Sequence, residues 1–335
     1  MQLPDLPGPI FGVTFPFFGL VLCGFVAARQ GWIATEAIPG LNRFVLYFAL
    51  PCLLYRFAAQ TPIGQLLSPG VAALYLAAGT VMLALAVAAA RRRGLSWNDA
   101  AFGALVAAFP NSGFMGVPLL IALLGPTAAA PAIVTLSLDM VLTSSFCIAL
   151  SRLGAHGGQA PMKAAGLALR GMASNPLPWA ILLGAASSAS GVVLPGPAMR
   201  VVALLADCAS PVALFALGCL LLRTWRHYAD TAHSNASAVG DVMEVAALKL
   251  LIHPLLMWTL AAAARALGMP LDPFSAMVLV LMAALPSASN VPLLAERFGA
   301  DAGRIAMIVF VTTVGAFVSF SVAVALAVPA AALAR

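Results

Sequence analysis

"AAFPNSGFMGVPLL", residues 107–120, lies inside a hydrophobic run yet carries two prolines, two glycines, an Asn and a Ser. Proline has no N–H, and its ring clashes with the carbonyl of the preceding turn, at about 3 kcal/mol in a helix interior. Gly113 and Gly116 loosen the same backbone. A shorter version, "AALPSASNVPLL", occupies residues 283–294. Non-helical backbone at membrane depth survives only where protein buries it or where it lines a polar cavity. Whether these stretches cross a membrane therefore decides how they are read.

Composition places them in one. The 335 residues are 62% hydrophobic and only 8% charged, with a mean hydropathy of +1.02. Soluble domains carry about 25% charged residues, so this chain cannot be covered with a polar surface. The apolar runs are long, rich in Leu, Ala and Val, and do not alternate, which selects helices over the short strands of a membrane barrel. The N-terminus lacks the basic region and cleavage site of a signal peptide, so its first apolar segment is expected to be retained. The five cysteines sit in apolar runs without metal spacing and read as small packing residues; no metal or cofactor is expected.

Ten segments are predicted, near 10–28, 37–57, 69–90, 99–124, 128–151, 175–193, 199–222, 244–267, 273–296 and 303–328. With the N-terminus outside, the inner side collects Arg29, Arg91, Arg92, Arg93, Arg152, Lys163, Arg170, Arg223, Arg226, Arg297 and Arg304. The outer side holds Arg56, Arg200, Arg265 and Arg335. Eleven against four follows the positive-inside bias and predicts a multi-pass protein of the plasma (inner) membrane with both termini outside. The net charge of +6 is thereby explained by orientation in the lipid bilayer, and no nucleic-acid partner is expected. The sequon at Asn235 falls on the inner side, where it carries no meaning.

The chain also repeats itself. "AAFP" (107–110) returns as "AALP" (283–286), "VPLL" (117–120) returns as residues 291–294, and "ALPCLLYRFA" (49–58) resembles "ASPVALFALG" (209–218), aligning Pro51 with Pro211. Residues 1–153 and 175–335 then form two five-helix repeats around a cytoplasmic loop, 154–174. Five being odd, the second repeat enters from the opposite side, the inverted arrangement of secondary transporters. Segments four and nine become pairs of half-helices. Their free N–H groups and positive dipole ends favour an anion at the membrane centre. Pro118 suits the first turn of a new half-helix. Pro110, Asn111, Ser112, Gly113, Gly116, Pro118, Pro286, Ser287, Ser289, Asn290 and Pro292 are the predicted substrate site.

"FPNSGFMGVPLL", "ALPSASNVPLLAERFG", "ASPVALFALG" and "LKLLIHPLLMW" (248–258) together resemble the auxin efflux carrier family, which includes bacterial malonate-transporter-like members. The resemblance spans essentially the whole chain. It implies ten spans with both termini outside and a crossover of broken helices 4 and 9, as in bile-acid symporters and sodium/proton antiporters. It further implies a scaffold of spans 1, 2, 6 and 7 and a transport unit of spans 3–5 and 8–10. In the family, crossover prolines and a nearby Asn contact an organic anion; Pro110, Asn111, Pro118, Pro286, Asn290 and Pro292 match those positions. The long hydrophilic central loop of the plant members is missing here.

Ionisable residues at membrane depth cost about 2.5–3.5 kcal/mol on insertion scales and each needs a reason. Asp139 and Lys249 are the coupling candidates, either as an ion pair or proton-sensitive link, or with Asp139 bonding Thr143 and Lys249 snorkelling to the inner interface. Asp207 reads as structural, and His253 as a partner for a carbonyl freed by Pro254. The function expected is a secondary active carrier of a small mono- or dicarboxylate, malonate-like, working by alternating access with proton or sodium as coupling ion, or as a uniporter. A homodimer would form through the scaffold spans. The alternatives are a sensor or partner subunit that moves nothing, and an intramembrane aspartyl protease using Asp139 and Asp207. The protease lacks its expected Tyr-Asp and Gly-x-Gly-Asp signatures, and no other catalytic motif is present, so no enzyme is expected.

Overall fold

A computed structural model describes residues 7–66, 68–151, 176–232 and 236–328. Among the described residues the chain is all-helical. The helices are α1 (Pro7–Arg29), α2 (Ile38–Gln60), α3 (Pro69–Arg92), α4 (Trp97–Ala108), α5 (Ser112–Leu124), α6 (Pro126–Ser151), α7 (Pro176–Ser190) and α8 (Gly196–Ala232). Helix α9 runs from Ala236–Ala247 through a π turn, Leu248–Ile252, into His253–Ala266. Then come α10 (Pro273–Ala284), α11 (Val291–Arg297) and α12 (Ala302–Ala327). Among the described residues six helices are long and apolar enough to cross a membrane: Ile38–Gln60, Ile63–Arg92, Pro126–Ser151, Gly196–Leu222, Val239–Ala266 and Ala302–Ala327. Thr14–Arg29, Ser112–Leu124 and Pro273–Ala284 are apolar and shorter.

The helix starts follow local chemistry. Ser96 caps α4 by accepting the Asp99 N–H at 3.0 Å and donating its hydroxyl to that carboxylate at 2.7 Å. Asp272 accepts from Ser275 N–H at 2.8 Å ahead of Pro273, and Asp301 accepts from Arg304 N–H at 2.9 Å. Arg91 and Arg92 lie in the last turn of α3, where cations complement the carbonyl end.

Helices α4 and α10 form the centre. Every residue of α4 from Ala100 to Ala108 is buried, as is α10 from Val278 to Ala284. A helix apolar all round belongs in the interior. Around them, α4 packs on α3 and α6, α10 packs on α9 and α12, and α3 touches α9. To one side α1 packs on α8, and α2 packs on α7 and α8. The α1–α8 crossing is tight: a Cβ at Gly24 would overlap the carbonyl of Phe215, and one at Gly218 the carbonyl of Val21. Such small-residue crossings let membrane helices approach at backbone distance. Arg56 and Asp207 pair at 2.7 Å between α2 and α8, so Asp207 holds two packed helices together. Pro51 follows a π turn, Val45–Ala49, whereas Pro211 lies within unbroken α8; the two aligned prolines do not share a local structure.

At the opposite end of the core, Arg304 binds the Asp241 carboxylate at 2.5 and 3.0 Å and donates to the Asp99 carbonyl at 2.9 Å, while Arg93 pairs with Glu244 at 2.6 Å. These basic residues thus cluster at one face, joining the starts of α4, α9 and α12. Arg152, Lys163, Arg170, Asn235 and Arg335 and the loop 154–174 lie outside the described residues, as do the side chains of Arg223 and Arg226.

Candidate functional site

Both breaks exist, and they meet. Helix α4 ends at Phe109, which turns extended at φ −87°, ψ 105°, and α10 ends at Leu285 with φ −63°, ψ 155°. The two extended pieces pair antiparallel, with Pro110 opposite Ser287. Asn111 N–H donates to Pro286 carbonyl at 2.8 Å, and Ala288 N–H donates to Phe109 carbonyl at 3.0 Å. The prolines explain the side-chain bonds. Pro110 cannot donate to the Val106 carbonyl one turn back; Ser287 Oγ donates there instead at 2.7 Å. The Ser287 N–H is taken by Thr312 Oγ at 3.2 Å. Each break therefore satisfies backbone that the other leaves free, as buried polar groups require.

The predicted residues divide by what they touch. Ser112, Ser287 and Ser289 are buried, and the first two spend their hydroxyls on the clasp, Ser112 on the Pro110 carbonyl at 3.3 Å. Gly116 lets α5 lie against α10, since a Cβ would come within 2.6 Å of Leu285 Cδ1. Gly113 faces Leu50 and Leu136. Pro118 begins the α-helical part of α5, Val117–Leu124, directly after the π turn, and Pro292 lies in the first turn of α11. Asn111 is 2% exposed, and its Nδ2 has no partner among the described residues. At the start of α5 the Ser112 N–H donates to the Pro110 carbonyl at 2.7 Å, and the Met115 and Gly116 N–H groups donate to the Asn111 carbonyl at 3.1 and 2.9 Å. Asn290, by contrast, is exposed, makes no capping bond, and opens α11, a helix of only seven residues. The twofold likeness of the breaks stops at their polar contents.

The ionisable residues form two buried groups. Asp139, 1% exposed, accepts from Tyr75 hydroxyl at 2.5 Å and from Thr143 hydroxyl at 3.1 Å. Lys249, 0% exposed, donates to the Ala283 carbonyl at 3.1 Å and lies 2.9 Å from His253 Nδ1. Asp139 and Lys249 form no direct ion pair among the described residues. Snorkelling of Lys249 is therefore wrong: the side chain turns inward to the end of α10. His253 was expected to serve a carbonyl freed by Pro254; it meets Lys249 instead. Sequence reasoning missed Tyr75, an aromatic in an apolar helix, for which no local signal exists. It also missed four π turns among the described residues. Three of them, Ser112–Gly116, Asp139–Thr143 and Leu248–Ile252, carry a candidate site residue, a setting in which such turns recur, and Val45–Ala49 does not.

Residues 9–324 match the sequence model of a family described as "Membrane transport protein". A Rhizobium meliloti (strain 1021) protein named "Putative malonate transporter" is 32% identical over 311 residues, covering 91% of each chain. A Methanothermobacter thermautotrophicus protein named as an uncharacterized transporter is 30% identical over 305 residues, 90% of this chain and 92% of its own. An uncharacterized transporter of Escherichia coli (strain K12) is 25% identical over 300 residues, 86% of this chain and 88% of its own.

Proposed function

Because the chain belongs to the membrane transport protein family, that of the auxin efflux carriers, whose members are transporters rather than enzymes, we propose that it carries a small organic anion across the membrane by alternating access. The name of the Rhizobium relative makes a malonate-like carboxylate the first candidate. One observation carries this reading. Beside the crossing of the two breaks lies a buried Asn111 amide whose Nδ2 has no partner among the described residues, at the residue that precedes α5. An unpaired buried donor costs about 1–3 kcal/mol, and an anion seated there relieves it. The positive end of α5 favours the same occupant. Asn290 reaches the anion from the exposed side.

Ten spans in two inverted sets of five accommodate these helices, with α4/α5 and α10/α11 as the broken spans, and α1, α2, α7 and α8 as a scaffold against which the rest moves. Both termini then face outward from the inner membrane, and a homodimer forms through the scaffold. Counterflow of a radiolabelled carboxylate panel in proteoliposomes, at varied pH and sodium, tests the function. Asn111→Ala and Asn290→Ala should each lower malonate counterflow by roughly tenfold, the loss of one hydrogen bond to a charged group, with unchanged expression and melting. Normal flux in both variants would reduce the crossing to a structural kink.

A further inference from the structure

Lys249 and His253 are buried together with little to neutralise them. The Lys249 ammonium finds one carbonyl, that of Ala283, and one imidazole nitrogen, Nδ1 of His253. His253 is 0% exposed, and its Nε2 has no partner among the described residues. The Asp139 carboxylate, which could have neutralised the ammonium directly, is engaged by Tyr75 and Thr143. Two nitrogen bases 2.9 Å apart share one hydrogen on the line between them. Both cannot be charged at that distance in a dry interior. The pair thus has two states that differ by one proton. In one, the ammonium donates to Nδ1; in the other, the neutral amine accepts from a neutral imidazole of the opposite tautomer.

The pair also touches the crossing. Ala283 lies in the last turn of α10, where the helix gathers its negative partial charge. Three residues on, the Pro286 carbonyl takes the Asn111 N–H. Charge on Lys249 therefore bears on the backbone that frames the proposed anion site. Helices α4, α10 and α12 pack against the π turn, and their acidic and basic residues, Asp99, Asp272, Asp301 and Arg304, lie at or before their first turns. On α9 itself, Asp241 and Glu244 lie toward the start, bound to Arg304 and Arg93, and Arg265 lies in the last turn. Helix α3, which also packs on α9, brings Tyr75, bound to Asp139 of α6, and carries Arg91 and Arg92 in its last turn.

We propose that Lys249 and His253 form the carrier's proton site, holding one transferable proton whose presence is linked to occupancy of the anion site, so that the anion crosses with a proton and without sodium. This rests on the carrier reading above. The proton is taken from hydronium on the side where the anion binds, an O–H bond breaking as an N–H bond of the pair forms, and the reverse exchange returns it to water on the other side.

The test uses the full chain in sodium-free proteoliposomes, with radiolabelled malonate as probe and a pH dye inside. Membrane potential is clamped with potassium and valinomycin. A gradient of one pH unit should accumulate malonate roughly tenfold, the equivalent of one coupled proton, with internal acidification and no stimulation by sodium. In His253→Gln, gradient-driven accumulation should fall at least tenfold relative to counterflow. Lys249→Arg, whose guanidinium keeps its proton, should make flux independent of pH. Malonate counterflow in the wild type without proton movement, or driven by sodium, overturns this inference and leaves the carrier reading standing. Absence of counterflow with every carboxylate tried overturns the carrier reading and this inference with it. Unchanged gradient-driven accumulation in His253→Gln overturns the assignment of the pair even where wild-type coupling is found.

Discussion

Asp241 and Arg304 show what a charged residue does in this chain when no substrate is involved. Their side chains are 8% and 9% exposed and bonded twice, with Arg304 also held by the Asp99 carbonyl. Removing one partner of a buried pair leaves an uncompensated charge, costing about 3–5 kcal/mol. Asp241→Ala should therefore lower the melting temperature in detergent sharply, while the double variant Asp241→Leu, Arg304→Met recovers most of the loss. Ser287→Ala strands the Val106 carbonyl and should cost about 1–3 kcal/mol by the same assay. At this scale the sequence was partly legible. Pro110, Asn111 and Pro286 announced themselves because a break in an apolar run is costly wherever it falls. That Asn111 is enclosed while Asn290 is open was not legible, because burial is decided by helices distant in sequence. Lys249 misled for the same reason. A lysine near a helix start can snorkel, and only the position of Ala283 turns it inward.

Among elements, the breaks at 109–111 and 285–290 were readable from proline and glycine, whereas the π turns were not. A π turn widens a helix by one residue without requiring any residue type, so Asp139–Thr143 reads as ordinary helix until its partners are known. The α1–α8 crossing was likewise hidden: Gly24 and Gly218 stand out only once the two helices are superposed at backbone distance. Gly218→Val should force α8 off α1 at a cost of about 1–3 kcal/mol, as overpacking does. Lowered thermal stability with retained anion selectivity is the expected outcome. Equal stability of the variant would mean that the crossing is looser than its backbone contacts indicate.

For the molecule as a whole, the apolar composition made a multi-pass helical protein legible at once, and the repeated tetrapeptides pointed to a pairing that the helix breaks complete. The alternating access proposed above requires the central helices to shift against α1, α2, α7 and α8. Ser210 on α8 donates to the Phe114 carbonyl of α5 at 3.4 Å, a contact across that boundary. With the native cysteines replaced, Phe114→Cys with Ser210→Cys should cross-link under oxidation and stop malonate flux, and reductant should restore it. Flux that persists through a complete cross-link removes relative motion at this boundary. The clasp has one more consequence, for how the protein is made. Phe109 and Asn111 rely on Pro286 and Ala288, which the ribosome supplies only after more than half the chain has followed. Until then the first half of the chain sits in the bilayer with an unanswered Asn111 N–H and Phe109 carbonyl, so a nascent chain halted before α10 should be a target for quality control rather than a half-finished carrier.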